Sequence, residues 1–371
     1  MKLIINTSNI VIGGGIQVSL SFLEALISHP ENEYHIFLSP KISEQLDKST
    51  FQGNFKFYKI PISPSSLLKG FKTRKKLSLL ESQINPDLVF TVFGPAYWNP
   101  KSLHVSGFAN GWCYTPNSIA FNYLPRLARI KSRFLITIKN YFIKKSDFLI
   151  VETDTAKKNI ISHLKIKEDK IFVVGNTFHQ VFESHDNIEW NAIIEKSKCY
   201  KLLVLSSFYP HKNLLILNKV VEILREKSHN KFKFFLTIPD DKFNEAFPEN
   251  DMIENLGPQN IQDCPGLYKS VDALFLPTLL ETFTANYPEA MVMRKPILTS
   301  DLDFARELCG DAALYFNPLS VSDITEKIMD LEGDESLKIR LVTAGDKRLK
   351  EFETAESRTN KYLEIFKKLK A

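Results

Sequence analysis

Short apolar runs of strand length alternate with longer amphipathic runs of helix length along the whole chain. This alternation is typical of parallel sheets whose strands are joined by crossover helices, so it predicts an α/β fold. Strands are predicted at 2–6, 34–38, 55–59, 88–91, 104–108, 148–151, 202–206, 232–238, 273–276, 296–300 and 313–316. Helices are predicted near 16–28, 67–84, 124–145, 155–164, 213–227, 261–269, 303–308 and 322–331, followed by one long charged helix from about 335 to 370.

The chain has 371 residues, which is too long for one ordinary hydrophobic core, so two domains are expected. Polar residues intervene at about 178–200 and indicate the boundary. The first domain is therefore predicted at 1–178 and the second at 179–355.

Charge is distributed unevenly between the two halves. Residues 1–175 carry a net charge of +11 and the remainder carries −6, which suggests that the first half meets something anionic. Basic residues cluster at 69–76 and at 124–145, where apolar residues lie between them. Such a stretch can dock on an anionic bilayer, but a solvated helix face has the same pattern, so both interpretations stay open. Nucleic acid is not expected as a partner, since no recognised binding module accompanies the charge.

The four cysteines, Cys113, Cys199, Cys264 and Cys309, lie far apart in the sequence. Their spacing matches neither a disulfide framework nor a metal-ligand cluster, which favours a reducing, cytoplasmic location. The first apolar run is short and is predicted to be a buried strand rather than a secretory signal. No run approaches the roughly 18 apolar residues that a membrane span needs.

Two carboxylates, Glu281 and Glu289, are separated by seven residues between two predicted strands. Ionised carboxylates accept strong hydrogen bonds and therefore suit the hydroxyls of a sugar or a ribose. The backbone amides of Phe283, Thr284 and Ala285, near a helix start, suit the oxygens of an anionic ligand. Taken singly, each glutamate could instead be a solvated loop residue or a charge favoured by the helix dipole.

Lys212 lies just before the helix predicted at 213–227, where a positive charge is unfavourable unless an anion is bound. It could meet a diphosphate as a point charge, and a solvated lysine is the alternative.

Three consecutive glycines, Gly13, Gly14 and Gly15, stand between the first strand and the first helix. They would let the backbone approach a phosphate or sugar closely, although a plain tight turn has the same pattern. A dinucleotide fingerprint is not supported, because its third glycine and the acidic residue after the second strand are missing.

The region around the two glutamates resembles the donor site of the retaining glycosyltransferases of family four, which have the GT-B fold. The resemblance extends over 268–272, 276–278, 281, 289–291, 295–297, 300–301, 307 and 310–318. It implies two Rossmann-like parallel-sheet domains that face each other across a cleft. The first, 1–178, would be the acceptor side, and the second, 179–355, would bind the nucleotide sugar. It also implies a terminal helix, 356–371, that packs back on the first domain.

By this resemblance, Glu281 would bind hydroxyls of the donor sugar, Glu289 the ribose and Lys212 the diphosphate. Gly14 and Gly15 would contact the donor's phosphate and the transferred sugar, and Gln259 would lie against the base. Enzymes of this family stabilise the leaving diphosphate electrostatically, so neither metal nor cofactor is expected.

The sequence departs from the family pattern at three positions. Thr282 and Thr284 stand where the family mostly has glycine, and Ser206 or Ser207 occupies the slot of a phosphate-binding arginine. Ser207 is therefore a candidate donor contact. The positive charge that the arginine carries in the family is either absent here or supplied from elsewhere.

A residue near the centre of the first domain often lies beside the reacting carbon in this family. His104 lies inside an apolar strand and is more typical of a core histidine, whereas Asn110 lies just past the strand end. Asn110 therefore joins Glu281 and Lys212 as a catalytic candidate, although an amide cannot act as a base. Asp301 and Asp303 resemble a metal-binding pair, but Asp303 is predicted to be a helix N-cap instead.

These observations predict a retaining, metal-independent glycosyltransferase that moves a sugar from a UDP- or GDP-linked donor to a glycan. A role in bacterial surface polysaccharide assembly is expected, with a lipid-linked acceptor at the inner face of the plasma membrane as one option. Two alternatives stay open: a catalytically impaired nucleotide-binding or scaffold protein of the same fold, and a GT-B sugar-nucleotide epimerase.

Overall fold

A computed structural model describes residues 1–11, 13–66, 68–183, 189–228, 231–248 and 250–370. The chain forms two compact units. The first contains Met1–Pro116, Arg126–Asn176 and the chain from Glu353 onward, and the second contains Asn117–Pro125 and Thr177–Phe352. The assignment of Asn117–Pro125 to the second unit was not anticipated from the sequence.

The first unit is built on a seven-stranded parallel sheet in the order β3-β2-β1-β4-β5-β6-β7. Its strands are β1 (Lys2–Asn6), β2 (Glu33–Leu38), β3 (Phe55–Lys59), β4 (Leu88–Thr91), β5 (Leu103–Gly107), β6 (Phe148–Val151) and β7 (Ile171–Val173). Strand order reverses between β1 and β4. Ligands of open α/β sheets bind outside the carboxyl ends of strands at such a switch point.

The helices of the first unit alternate with these strands. They are α1 (Gly15–Ala25), α2 (Pro40–Gln45), α3 (Gly70–Ile84), α4 (Gly111–Tyr114), α5 (Arg126–Ile143) and α6 (Asp154–Asn159). Leu67, the start of the helix predicted at 67–84, lies outside the described residues.

The second unit is built on a six-stranded parallel sheet in the order β10-β9-β8-β11-β12-β13. Its strands are β8 (Tyr200–Val204), β9 (Phe232–Leu236), β10 (Ile253–Asn255), β11 (Ala273–Leu276), β12 (Ile297–Ser300) and β13 (Ala313–Phe316). Its helices are α7 (Ala192–Glu195), α8 (Ile216–Ser228), α9 (Asp240–Ala246), α10 (Cys264–Ser270), α11 (Asn286–Val292), α12 (Asp303–Cys309), α13 (Val321–Gly333) and α14 (Glu335–Arg348). The switch point lies between β8 and β11. The prediction of two Rossmann-like parallel-sheet domains is thus confirmed.

The last helix, α15 (Ala355–Lys370), packs on the first unit. The ring of Tyr362 lies 5.4 Å from that of Phe22 on α1, and the ring of Phe366 lies 5.0 Å from that of Phe90 on β4. These aromatic contacts bury one face of α15 in the core of the first unit.

The prediction of one helix from 335 to 370 is wrong. The chain stops being helical at Phe352, whose backbone is extended, and its ring packs 6.1 Å from the ring of Phe283. A new helix then starts where the Thr354 hydroxyl accepts a hydrogen bond from the Ser357 amide at 3.0 Å, an N-cap contact. No helix in the described part of the chain is long and apolar enough to cross a membrane.

Candidate functional site

The loops that leave β8 and β11 meet at the switch point of the second sheet, and they carry Lys212 and Glu281. Lys212 ends a short 3₁₀ turn, Pro210–Lys212, and Asn213 follows in the left-handed region with φ 55°. The Asn213 side chain donates to the carbonyl of Pro318 at 2.9 Å and thereby fixes the end of this turn.

The ammonium group of Lys212 is ion-paired with the carboxylate of Glu281, and each side chain is 18% exposed. A backbone hydrogen bond of 2.7 Å from the Leu279 amide to the His211 carbonyl joins the same two loops. The structure therefore brings together two candidates that the sequence analysis proposed separately.

His211, beside Lys212, does not supply a second positive charge at neutral pH. Burial, and then the charge of Lys212, lower the pKa of its imidazole to about 4. In the slot of the missing arginine, the Ser206 amide donates to the Thr237 hydroxyl at 3.2 Å, and Ser207 is exposed. Neither serine carries a charge, so neither replaces the positive charge of the missing arginine.

The helix that carries Glu289 begins earlier than expected, at Asn286 rather than at Glu289 itself. The Asn286 side chain donates to the carbonyl of Leu205 at 2.5 Å, which ties the start of α11 to the end of β8. The loop before it contains Phe283, Thr284 and Ala285, all half-buried, whereas the Thr282 side chain is buried.

Glu289 is buried, with only 4% of its surface exposed. The phenol of Tyr268 on α10 donates to its Oε2 atom at 3.0 Å. Burial raises the pKa of the Glu289 carboxyl to about 7, and the hydrogen bond from Tyr268 partly opposes that rise. Sequence reasoning did not find this partner; the only signal was that Tyr268 falls within the family-like segment 268–272.

Gln259 follows β10 in a turn that contains Gly257, whose φ is 70°. Its side-chain amide donates to the carbonyls of Leu256 at 2.7 Å and of Gly257 at 3.1 Å. In this structure Gln259 therefore closes its own turn, and a contact with a base remains a prediction.

Three candidates belong to the first unit. Gly14 is exposed and precedes α1, and Gly15 is the first residue of that helix. A Cβ atom at Gly15 would lie 3.3 Å from the ring of Phe93, so a larger residue would crowd this loop. Asn110 follows β5 and precedes α4, and its buried Oδ1 atom has no hydrogen-bond partner among the described residues. All three lie near the carboxyl edge of the first sheet.

His104 is a core residue, as the sequence analysis favoured. Its Nε2 atom lies 3.1 Å from the Thr91 hydroxyl, and burial lowers the pKa of its imidazole to about 4.

The prediction of Asp303 as an N-cap is wrong by one residue: Leu302 occupies that position, and Asp303 is the first residue of α12. Asp301 instead pairs with Arg306 through two hydrogen bonds of 2.7 and 2.8 Å. Among the described residues, no group of three or more His, Cys, Asp or Glu side chains could hold a metal ion.

Residues 186–348 match the family described as Glycosyl transferases group 1. This part of the chain is thus a glycosyl transferases group 1 domain, and the protein is a glycosyltransferase. No curated protein matches the chain.

Several solved structures have a similar fold over nearly the whole chain. Sucrose-phosphate synthase from Thermosynechococcus elongatus is 11% identical with a TM-score of 0.76, and the match covers 100% of this chain and 99% of that one. WaaG, a glycosyltransferase involved in lipopolysaccharide biosynthesis, is 14% identical with a TM-score of 0.74, and 99% of each chain is covered. HepE of Anabaena, solved in complex with UDP and glucose, is 13% identical with a TM-score of 0.72, and 99% of each chain is covered.

Proposed function

We propose that this glycosyltransferase moves a sugar from a UDP- or GDP-linked donor to a glycan, with retention of configuration and without a metal ion. The observation that carries the proposal is the Lys212–Glu281 ion pair at the switch point between β8 and β11. The pair consists of one cation and one carboxylate at the edge where ligands of such sheets bind, which supports a site for a diphosphate and a sugar.

In the proposed reaction the bond between the anomeric carbon and the diphosphate breaks, and negative charge grows on the leaving phosphate oxygens. The oxygen of an acceptor hydroxyl forms the new bond to the anomeric carbon, and the proton of that hydroxyl passes to the leaving phosphate. The ammonium of Lys212 stabilises that charge, and it does so most strongly in a site from which water is largely excluded. When the diphosphate takes Lys212 as its partner, the carboxylate of Glu281 becomes available to accept hydrogen bonds from hydroxyls of the sugar.

The nucleoside end of the donor is proposed to lie toward β9 and β10. Glu289 would bind the ribose hydroxyls, and Gln259 would lie beside the base. The amides of Phe283, Thr284 and Ala285, just before α11, would contact donor oxygens. The proposed donor contacts of Ser207, Gly14 and Gly15, and the catalytic role of Asn110, remain predictions.

Retention is supported by the resemblance of the segment from Glu281 to Glu289 to the retaining family. A donor with a uridine base agrees with the UDP and glucose bound by HepE, and a role in surface polysaccharide assembly agrees with WaaG. We propose that the acceptor is lipid-linked and that the protein works in the cytoplasm at the inner membrane face.

The membrane contact would be made by α5, which exposes an apolar stripe. Leu127 is 82% exposed, Ile130 67% and Phe134 62%, and their spacing of three and four residues puts them on one face. Arg126 and Lys131, both exposed, flank this stripe. An apolar stripe with basic flanks suits an anionic lipid surface.

Calorimetric titration with UDP and GDP, followed by assays on a panel of nucleotide sugars, tests the proposal. We expect binding of one diphosphate, slow hydrolysis of one donor, and unchanged activity with a chelator. The anomeric configuration of the released sugar, read by NMR before it mutarotates, reports retention. Absence of binding to either diphosphate would instead favour the scaffold alternative. The observation that supports this alternative is that Ser206 or Ser207 stands where the family has a phosphate-binding arginine. Conversion of one nucleotide sugar into its epimer would favour the epimerase.

A further inference from the structure

The carboxylate of Glu289 is buried but has few hydrogen-bond donors around it. Glu289 stands on α11, and the phenol of Tyr268 on α10 donates to its Oε2 atom at 3.0 Å. In the described part of the chain, no other group donates to this carboxylate. An ionised carboxylate has about four acceptor positions on its two oxygens, so a single bond leaves most of them unused.

This shortage of donors leaves the ionised form of Glu289 poorly stabilised. Burial raises the pKa of its carboxyl to about 7, and the bond from Tyr268 opposes only part of that rise. A second donor, placed at Oε1, would offset more of the cost of keeping a charge in a buried place. A hydroxyl group of a ligand can supply that bond without adding a charge.

Tyr268 is itself held in place by its surroundings. Its side chain is fully buried, and its ring packs edge to face against the ring of Phe182, with the two centroids 5.7 Å apart. Its hydroxyl also lies 3.3 Å from the carbonyl of Asn286, the first residue of α11. The phenol therefore fixes the Oε2 side of the Glu289 carboxylate, and the direction of Oε1 follows from it.

We infer that Tyr268 is a positioning residue that aims the Oε1 atom of Glu289 at one hydroxyl of the donor's ribose, so that the site selects ribonucleotide over deoxyribonucleotide donors. The inference rests on the proposed function, which assigns the ribose to Glu289. A deoxyribose that lacks the matching hydroxyl leaves Oε1 without a donor in a buried place. Such an unpaired polar group is what makes a site reject an analogue that lacks one hydroxyl.

Calorimetric titration of the full chain with UDP, 2′-deoxy-UDP and 3′-deoxy-UDP tests the inference, and the guanosine series replaces these if GDP is the diphosphate that binds. We expect one deoxy analogue to bind at least about tenfold more weakly than the ribonucleotide. In Tyr268→Phe this ratio should fall to about threefold or less, because the carboxylate is no longer held in one orientation.

Kinetics give a second measure of the same role. In donor hydrolysis Tyr268→Phe should raise KM and leave kcat within about threefold, since the ribose lies away from the bond that breaks and is held equally in the ground and transition states. In a Glu289→Gln background, Tyr268→Phe should change the ratio of the diphosphate affinities no further, because it acts through the carboxylate.

Tyr287→Phe is the matched control. Tyr287 is as deeply buried in the same unit, and its hydroxyl lies 2.7 Å from the hydroxyl of Thr299. Removal of this hydroxyl should lower the free energy of unfolding but leave the preference for the ribonucleotide unchanged.

Three results would overturn the inference and leave the proposed function standing. They are equal binding of all three diphosphates by the wild type, an unchanged ratio in Tyr268→Phe, and a further fall when Tyr268→Phe is added to Glu289→Gln. The same fall in Tyr287→Phe would make the effect one of general stability and would also overturn it. Failure of the wild type to bind either UDP or GDP would overturn the inference and the proposed function together.

Discussion

The ammonium group of Lys212 and the carboxylate of Glu281 form an ion pair across 69 positions of sequence, and each is mostly enclosed by the second unit. A carboxylate and a phosphate are both anions, so a diphosphate that binds here as proposed would compete with Glu281 for Lys212. Binding of the donor and release of Glu281 would then be one exchange of partners. This relationship leads to opposite predictions for the two residues.

Lys212→Ala should weaken binding of UDP or GDP by about tenfold or more, while binding of uridine or guanosine changes little. A charge-assisted hydrogen bond contributes roughly 2 kcal/mol, and only the diphosphates would make it. Calorimetry on the four ligands measures the difference. Lys219→Ala, which removes an exposed lysine from α8, is the control. Equal losses for nucleoside and diphosphate would mean that Lys212 serves packing and that the phosphates bind elsewhere.

Glu281→Gln should lower turnover by at least about tenfold, or about 1.4 kcal/mol of transition-state stabilisation. The same variant should bind UDP or GDP as tightly as the wild type or more tightly, because the competing carboxylate is gone. Rates of donor hydrolysis and diphosphate titrations give the two values. Glu326→Gln, at an exposed position of α13, should change neither. Weaker diphosphate binding in Glu281→Gln would contradict the exchange of partners.

Glu289 should make the free energy of unfolding depend on pH. Its folded pKa of about 7 lies above the ordinary value of 4.5 for a glutamate, so the folded state binds the proton more tightly. The Glu289 carboxyl therefore makes its full contribution to the free energy of unfolding below pH 4.5. This contribution is lost as the pH rises through 7, and the free energy of unfolding falls by roughly 2 kcal/mol between pH 5 and 8. The free energy of unfolding of Glu289→Gln, measured by urea unfolding, should not show this fall between pH 5 and 8.

Tyr268→Phe gives an independent check on the same carboxyl. It removes the hydrogen bond that lowers the pKa of Glu289, so the loss of stability should move to higher pH. An identical pH dependence in the wild type and in Glu289→Gln would show that another group causes it.

Regular elements could be predicted from the sequence where burial on both faces produces an unbroken apolar run. The strands Lys2–Asn6 and Ala273–Leu276 have the predicted bounds for this reason. The short strand Ile253–Asn255 was missed, since only three residues pair and only one of them is buried. The break at Phe352 was missed because the flanking sequences are both good helix formers, and the packing of its ring is a tertiary effect.

In the candidate site, too, local sequence predicted some features, whereas others depend on tertiary packing. Lys212, Glu281 and Glu289 could be proposed as donor-site candidates from residue type, from their positions after strands at the same edge of a parallel sheet, and from the resemblance to the glycosyltransferase family. The pairing of Lys212 with Glu281 and the bond from Tyr268 to Glu289 depend on loop paths that no local pattern encodes. The first of these contacts is the one on which the proposed chemistry depends.

Arg358 should be a stability determinant of the first unit. It is almost fully buried near the start of α15, and its guanidinium donates to the side chains of Asn176 and of Ser21, the latter at 2.8 Å. Arg358→Ala should lower the free energy of unfolding by roughly 3 kcal/mol, since buried polar partners lose their donor. Chemical denaturation measures this, with the exposed Lys368→Ala on the same helix as control. If Arg358→Ala lowered the free energy of unfolding no more than Lys368→Ala does, Arg358 would not be a stability determinant of the first unit.

The basic face of α5 should bind anionic lipid in a salt-dependent manner. We expect the protein to pellet with vesicles of phosphatidylglycerol and phosphatidylcholine, but less with phosphatidylcholine alone. Each basic residue near the surface contributes about 1 kcal/mol, and raising the salt from about 0.1 M to 1 M shortens the Debye length from roughly 10 to 3 Å. Arg126→Glu combined with Lys131→Glu should abolish pelleting and leave donor hydrolysis unchanged. Lys219→Glu combined with Lys227→Glu, the same charge change on an exposed face of α8, should still pellet. Equal recovery from neutral and anionic vesicles would make α5 an ordinary solvated helix and would favour a soluble acceptor.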